Sequence, residues 1–280
     1  MNSFIPEETH KYNFKKHHSH SHNYLNADMY TKYKKTYFKL SYNQLLILDA
    51  LLDTGGIEKK YVDKNKQLRY SEHFGLLDFD NKRLHKIIIS AETNREDKDD
   101  LEILLPSDLP DIKEYEYMFH THPPTPYPGS RAKDGILYEF PSVSDIYHFA
   151  DHFNEGATQG SLVITPEGIY IIKAVDHVKK IIYPREQQIF DKIMKDIFDI
   201  QQLAINKYGT DFTLETFYGV ISRDNEFIRM LNQVIENYWG KQIEIHLKPR
   251  SKDENTGKWI LKSLLLPVTP YKLKIKRLIK

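Results

Sequence analysis

Short apolar segments typical of β-strands alternate with segments of helical period along the middle of this chain. Such interleaving predicts an α/β or α+β domain, because successive strands and helices bury their apolar sides in stacked layers. Ser41 is a good N-cap for a first helix that Gly55 and Gly56 would end, and apolar residues at helical spacing mark another helix over residues 142–154. The predicted strands are residues 74–79, 86–90, 115–122, 162–164 and 169–175.

Differences in composition divide the chain into three parts. Residues 1–35 are polar, rich in His and Lys, and without an apolar period, so we expect a flexible arm. Residues 36–183 form the predicted α/β domain. Residues 184–280 form a C-terminal extension of unknown role, which we expect to be mainly helical because residues 185–207 and 224–239 carry apolar residues near helical period.

The two outer parts leave some interpretations open. The histidines at positions 17, 18, 20 and 22 could bind a divalent metal, or they could have no function on a flexible arm. The extension holds strand-like runs at 243–247 and 259–266 and ends in YKLKIKRLIK, where apolar and basic residues alternate. We expect this end to be a solvated edge strand whose lysines deter edge pairing, with a docking surface for an anion or nucleic acid as the alternative.

Charge and residue content exclude several classes of protein. Because 40 Lys and Arg residues balance 39 Asp and Glu residues, a nucleic-acid partner is not expected. The absence of cysteine excludes a disulfide scaffold, a thiolate zinc finger, an iron–sulfur cluster and a cysteine nucleophile. No apolar run approaches the length of a membrane span, and the first residues contain no signal-like run, so we predict an intracellular, cytoplasmic protein without a membrane partner.

The most informative string is Phe119-His120-Thr121-His122-Pro123. Residues two apart on a strand point to the same side, so both imidazoles can reach one ion at the strand end. The proline then stops the strand and leaves the ion at a rim that a substrate can enter. The alternative is a pair of strand-end histidines that are hydrogen-bonded to the backbone.

A second motif, Ser142-x-x-Asp145, opens the predicted helix at 142–154. By itself it is a capping box, which is a structural feature of many helices. The same geometry fixes a carboxylate firmly and leaves a hydroxyl beside it. Asp145 could therefore be a third ligand beside the two histidines, and three protein ligands leave a tetrahedral metal one position for water.

A metal-activated water also needs a base. Glu72 begins the predicted strand at 74–79, and Phe74 and Leu76 share its side, so we expect its carboxylate to point towards the core. A buried carboxylate near such a water is a plausible general base with a raised pKa. The alternatives are an exposed Glu72 without a catalytic role, and a base supplied by Glu58 or Glu92.

Taken in order, these motifs resemble the signature of the JAMM (MPN+) zinc metallopeptidases. In that family a strand glutamate precedes His-x-His-Pro and Ser-x-x-Asp, and here Glu72 is followed by Gly-Leu-Leu at 75–77. The predicted helix ahead of this strand, the strand into the His pair and the helix from the serine match the family's order of elements. The resemblance covers roughly residues 36–183 and implies an MPN-like central mixed β-sheet flanked by helices.

The resemblance also implies a cofactor and roles for individual residues. The implied cofactor is Zn²⁺, with metal ligands His120, His122 and Asp145, Glu72 as the acid/base, and Ser142 stabilising the oxyanion. The expected activity is that of a zinc metallopeptidase, a hydrolase of peptide or isopeptide bonds acting on a protein or peptide substrate. The most specific version is a deubiquitinase-like isopeptidase acting on ubiquitin or ubiquitin-like conjugates. The alternative is a non-enzymatic MPN-like scaffold that binds protein partners.

The chain departs from the family between its two metal motifs, where residues 124–141 replace a short gap. This insert could grip the substrate or close over it, it could hinder access, or it could be a tolerated surface insertion. A further open point is the pair His148 and His152, one turn apart with Asp151 between them. They could hold a second ion or lie on a solvated helix face.

Overall fold

The computed structural model describes residues 36–57, 61–62, 68–69, 72–90, 108–123 and 128–279. The predicted arm with its four histidines lies outside the described residues, as do Glu58, Glu92 and the first four positions of the insert. Along the described residues the strands are β1 (Tyr37–Leu40), β2 (Tyr61–Val62), β3 (Leu68–Arg69), β4 (Phe74–Asp80), β5 (Arg83–Ile89), β6 (Tyr117–Thr121), β7 (Gly160–Ile164), β8 (Gly168–Ala174), β9 (Ile243–Pro249), β10 (Ser251–Lys252), β11 (Trp259–Ile260) and β12 (Leu264–Pro267). The helices are α1 (Tyr42–Ile57), α2 (Val143–Glu155), α3 (Gln187–Tyr208), α4 (Leu214–Gly219), α5 (Asn225–Trp239) and α6 (Pro270–Ile279).

A mixed sheet of eight strands organises these elements, in the order β12-β1-β5-β4-β6-β7-β8-β9. Most neighbouring strands are antiparallel, whereas β1 with β5 and β6 with β7 pair in parallel. Two short hairpins, β2 with β3 and β10 with β11, pair apart from this sheet. The predicted combination of strands and helices in one mixed α/β fold is confirmed.

The sheet is buried on both faces because its strands alternate their apolar side chains between two layers. Leu162 and Ile164 of β7 pack in one cluster with Leu45 and Leu48 of α1. Val163, between them, packs in a second cluster with residues of α2, α3 and α5. Helix α1 therefore covers one face of the sheet, and α2, α3 and α5 cover the other.

The predicted elements agree with the structure at most positions, with three corrections. Helix α1 continues through Gly55 and Gly56, so the predicted stop there was wrong. The strand predicted at 259–266 is divided into β11 and β12. The described part of the C-terminal decapeptide belongs to helix α6 (Pro270–Ile279) and is not an edge strand, because the buried Lys272 and Lys276 lie one helical turn apart and bond to distant carbonyls and carboxylates.

The C-terminal extension contributes to the same sheet as the predicted domain at 36–183. Strand β9 pairs with β8, and β12 pairs with β1, so the extension supplies both outer strands. Residues Lys35–Lys280 form one compact unit. The division at residue 184 stays a prediction. None of the helices in the described part of the chain is long and apolar enough to cross a membrane.

Candidate metal centre

The pairing of β4 with β6 aligns the sequence motifs. Phe74 lies opposite His120 in this antiparallel pair. Beyond it, Thr121 N–H donates to the His73 carbonyl and His73 N–H donates to Thr121 Oγ1, both at 3.0 Å. In the same register Glu72 lies opposite His122, so the two histidines and Glu72 share one face of the sheet.

Close packing explains the glycine that follows Glu72 in the motif. A side chain at Gly75 would collide with the Phe119 ring and with the carbonyl oxygen of Ile88. Only glycine lets β6 place the Phe119 ring over β4 at this point. The residue therefore supports the register that brings Glu72 opposite His122.

The start of α2 fixes Asp145 on the same face. Asp145 N–H donates to Ser142 Oγ at 3.1 Å, and Ser142 N–H donates to Asp145 Oδ2 at 2.7 Å, which is a complete capping box. The predicted capping box is confirmed. It restricts the Asp145 carboxylate to one orientation, in which Oδ1 faces His120.

Three ionisable groups converge where β6 ends and α2 begins. His120 Nε2 lies 3.1 Å from His122 Nε2 and 3.1 Å from Asp145 Oδ1, and His122 Nε2 lies 3.6 Å from Asp145 Oδ2. The side chains of His120 and Asp145 are each 2% exposed, and that of His122 is 12% exposed. One ligand atom from each residue falls within 4.8 Å of the others, so this His–His–Asp cluster could hold a metal ion.

The electrostatics favour the metal-binding protonation state for two of the three groups, Asp145 and His122, whereas His120 would have to give up a proton to bind a metal ion. Burial alone would raise the pKa of Asp145, but His120 and the Ser142 N–H hold this pKa well below its ordinary value. Burial, together with the neighbouring His120, lowers the pKa of His122 to about 4. Burial also opposes protonation of His120, yet the adjacent Asp145 raises its pKa overall. An ionised carboxylate and a neutral imidazole are the protonation states that metal binding requires.

The two imidazole rings are oriented in different ways. The His120 ring stacks on Phe74, with ring centroids 5.2 Å apart, and its Nδ1 atom has no hydrogen-bond partner among the described residues. His122 Nδ1 instead lies 3.4 Å from the carbonyl oxygen of Glu139, a residue of the insert. Sequence reasoning missed Glu139, because a contact through a backbone carbonyl leaves no signature in residue type.

Glu72 lies beside the cluster without joining it. Its Oε1 atom is 4.0 Å from His122 Nε2, and its side chain is 24% exposed, whereas we expected it to point into the core. The structure therefore brings Glu72 and Ser142 next to the three ligand candidates. The catalytic roles of these two residues stay predictions.

The described part of the insert is packed against the extension. Leu137, Tyr138 and Phe140 are buried, and Gln201 of α3 accepts the Leu137 and Tyr138 N–H groups at 3.0 and 3.1 Å. Gln201 Nε2 also donates to the Tyr138 carbonyl at 2.6 Å. A tolerated surface insertion does not describe this segment, because a removable loop would not supply buried core side chains.

The alternative of a second ion at His148 and His152 gains no support. Within the described ranges, the His–His–Asp cluster is the one group of three or more potential ligands that could hold an ion. His148 and His152 are not part of it, and burial lowers the pKa of His152.

Comparisons with known proteins give one relative. No protein-family model matches the chain, and no solved structure matches it. The chain is 35% identical over 239 residues to an uncharacterized protein, R413, of Acanthamoeba polyphaga mimivirus. The match covers 82% of this chain and 65% of the viral protein, so the chain spans just under two thirds of that relative's length. The site geometry is therefore the basis on which a function can be assigned.

Proposed function

We propose that this protein is a zinc metallopeptidase of the JAMM (MPN+) type, which hydrolyses amide or isopeptide bonds. The observation that carries the proposal is the convergence of His120 Nε2, His122 Nε2 and the Asp145 carboxylate at distances of 3.1 to 3.6 Å, with Glu72 at their edge. The arrangement of elements agrees with an MPN-like domain. Helix α1 precedes β4, β6 ends in the His pair, and α2 begins at the Ser142 cap.

The spacing of the candidate ligand atoms is close to that of a tetrahedral zinc site. A tetrahedral ion with bonds of about 2.0–2.2 Å separates its ligand atoms by about 3.3–3.6 Å. His120 Nε2 lies 3.1 Å from His122 Nε2 and 3.1 Å from Asp145 Oδ1, slightly less than this range, and His122 Nε2 lies 3.6 Å from the other oxygen of Asp145, Oδ2. Two imidazole nitrogens and one carboxylate also suit zinc chemically, and three protein ligands are the number that catalytic zinc sites use.

The residues around the cluster supply the remaining parts of an amide hydrolase. When bound, zinc would provide Lewis-acid polarisation and lower the pKa of water. Glu72 is partly exposed at the edge of the cluster, where it can accept a proton from the attacking water and return it to the leaving nitrogen. The Ser142 oxygen accepts the Asp145 N–H, which leaves the hydroxyl proton available for a developing oxyanion on the substrate.

The narrower substrate class, ubiquitin-like conjugates, is supported by the resemblance of the motifs alone. The competing function is an MPN-like scaffold without activity. The cluster argues against the scaffold, because burying His120 and Asp145 beside a third ionisable group costs stability, and a bound metal ion would offset that cost.

The experiment that tests this proposal combines metal analysis with cleavage of a ubiquitin-dimer panel. It uses the full chain in which the histidines at 17, 18, 20 and 22 are replaced by asparagine, referred to below as the His-substituted chain. We expect one zinc per chain, lost in His120→Ala. Glu72→Gln should keep the zinc and reduce cleavage by about 10²–10⁴-fold, because an amide cannot shuttle the proton.

The matched control is Glu236→Gln, an equal change at an exposed position on α5, which should leave cleavage unchanged. Zinc content that His120→Ala does not alter would refute the ligand assignment. A folded, zinc-loaded protein that cleaves no dimer would refute the ubiquitin version, and a peptide library would then test the wider peptidase class.

A further inference from the structure

A buried carboxylate close to the cluster has no role in the chemistry proposed above. Glu167 lies in the turn between β7 and β8 and is 0% exposed. Its Oε1 atom accepts the Glu139 N–H at 2.7 Å and the Tyr170 hydroxyl at 2.8 Å. Burying a carboxylate lowers the stability of a protein unless hydrogen bonds compensate for the lost hydration, so the burial of Glu167 calls for an explanation.

Glu139 connects this carboxylate to the metal centre. Its N–H donates to Glu167, its carbonyl oxygen lies 3.4 Å from His122 Nδ1, and its own carboxylate accepts Arg131 Nη1 at 2.7 Å. The Glu139 N–H is thus held by the Glu167 carboxylate, and the Glu139 carbonyl faces the His122 ring. Because the contact with His122 is made by the Glu139 carbonyl, a group that fixes the Glu139 backbone also fixes this contact.

The turn that carries Glu167 is itself rigidly held by the extension. Arg250, which is 5% exposed, donates through Nε to the Pro166 carbonyl at 2.7 Å and through its backbone N–H to the Glu167 carbonyl at 3.2 Å. The guanidinium also forms a two-pronged pair with Asp49 of α1, at 2.8 and 2.6 Å. Glu167 therefore has a fixed position, and its hydrogen bond to the Glu139 N–H can hold this part of the insert in place.

We infer that Glu167 is a positioning residue for the metal ligand His122. By holding the Glu139 backbone, it directs the Glu139 carbonyl at His122 Nδ1, so the proton stays on Nδ1 and the Nε2 lone pair faces the cluster. The inference rests on the proposed metal site. It concerns His122 in particular, since the His120 ring is oriented by stacking on Phe74.

The test measures Co²⁺ affinity and the cobalt absorption spectrum in the His-substituted chain, together with thermal unfolding of the metal-free protein. Glu167→Gln keeps an oxygen acceptor for the Glu139 N–H and should bind Co²⁺ nearly as tightly as the parent. Glu167→Leu has no acceptor and should bind it about 10–100-fold more weakly, the usual cost of losing such an outer partner.

Tyr170→Phe is the matched control, because it removes the other hydrogen bond to Oε1 and leaves the link to Glu139 intact. Its Co²⁺ affinity should stay close to that of the parent, even if its unfolding temperature falls. In the metal-free protein, the ¹⁵N shifts of the His122 ring should report a change of tautomer in Glu167→Leu and none in Glu167→Gln. A purely structural role for Glu167 would lower the unfolding temperature without moving these shifts.

Equal Co²⁺ affinities of Glu167→Leu and Glu167→Gln would overturn the inference. If Glu167→Leu does not fold, Glu167→Asp replaces it, because the carboxylate is kept but withdrawn by one methylene. This variant should weaken Co²⁺ binding several-fold, and an unchanged affinity would again overturn the inference. A parent chain that binds no Co²⁺ would instead refute the metal site itself, so the two failures can be told apart.

Discussion

Two clusters of ionisable side chains in this protein differ in how their members are paired. In the first, here called the lysine clamp, Lys276 of α6 reaches Asp78 Oδ1 and Glu116 Oε1, both at 2.5 Å, and the Phe79 carbonyl at 3.2 Å. Each charge of the clamp meets an opposite charge. In the His–His–Asp cluster, two imidazole nitrogens lie 3.1 Å apart and face each other and one carboxylate.

The contrast separates a self-contained structural network from a cluster that could hold a metal ion. The lysine clamp closes on itself, so it can stabilise the fold without any further component. The cluster directs two groups of the same kind at one point, and a cation at that point would satisfy all three side chains at once.

The clamp also acts on the elements that carry the cluster. Asp78 belongs to β4, and Glu116 directly precedes β6, which contains His120 near its far end and is followed by His122. One turn earlier on α6, Lys272 Nζ donates to the Phe153 carbonyl and, at 2.8 Å, to the Gly156 carbonyl, at the C-terminal end of α2. Helix α2 is thus fastened at one end by Lys272 and presents Asp145 at the other.

The largest effect should come from breaking the lysine clamp. Lys276→Met leaves Asp78 and Glu116 facing each other without a cation, and burial already raises the pKa of Glu116. Removing one partner of a buried ion network typically costs about 3–5 kcal/mol. We expect a loss of this size in the free energy of unfolding, measured by urea denaturation.

The control for this prediction neutralises all three members of the clamp. A triple variant with Lys276→Met, Asp78→Asn and Glu116→Gln leaves no buried charge, so it should recover part of the lost stability. A Lys276→Met protein as stable as the parent would mean that the clamp contributes no more than an exposed ion pair.

A smaller change in the free energy of unfolding is expected when metal is supplied. Zn²⁺ at about 100 times its Kd should raise the free energy of unfolding of the His-substituted chain by about 2.7 kcal/mol, because only the folded state presents the cluster. Asp145→Asn should abolish most of this gain. Lys276→Met should keep it wherever the variant is still folded, since the clamp does not contact the metal ligands. An equal gain in Asp145→Asn would contradict the assignment of this residue as a ligand.

The motifs that form the candidate site could be predicted because each depends on a short stretch of chain. His120 and His122 share a side through the two-residue period of a strand, and Ser142 and Asp145 are joined within one helical turn. Once β4 and β6 are paired in register, Glu72 is expected opposite His122, as the structure has it. The prediction from the sequence made Glu72 more buried than it is.

What the sequence could not reveal depends on distant partners. The alternation in YKLKIKRLIK resembles a strand, but Lys272 and Lys276 find their partners more than a hundred residues away and on one side of a helix. Glu139 contacts Glu167 and His122 through its backbone N–H and its backbone carbonyl, which any residue type can provide. Both outer strands of the sheet likewise come from the extension, far along the chain from their neighbours.

The smallest predicted effect is the pH dependence of stability that Lys272, one of the two buried lysines of α6, contributes. Lys272 is 2% exposed and bonds to carbonyl groups, with its Nζ 4.0 Å from the centre of the Phe153 ring, and burial lowers its pKa to about 8. The unfolded chain should titrate this lysine near pH 10.4. Between about pH 8 and 10.4 the unfolded state therefore binds more protons than the folded state, and stability should rise with pH across this window.

The measurement that isolates this contribution is the difference in unfolding free energy between the parent and Lys272→Met, followed from pH 7 to pH 10. Other titrating groups are common to both proteins and cancel in the difference. We expect the parent to gain on the variant as pH rises above 8, because neutral Lys272 keeps two N–H groups for the Phe153 and Gly156 carbonyls while it loses the cost of a buried charge. A difference that stays flat, or that falls as pH rises, would mean that the carbonyls and the ring hold Lys272 in its charged form. Lys272 would then resemble Lys276, whose charge is matched by two carboxylates.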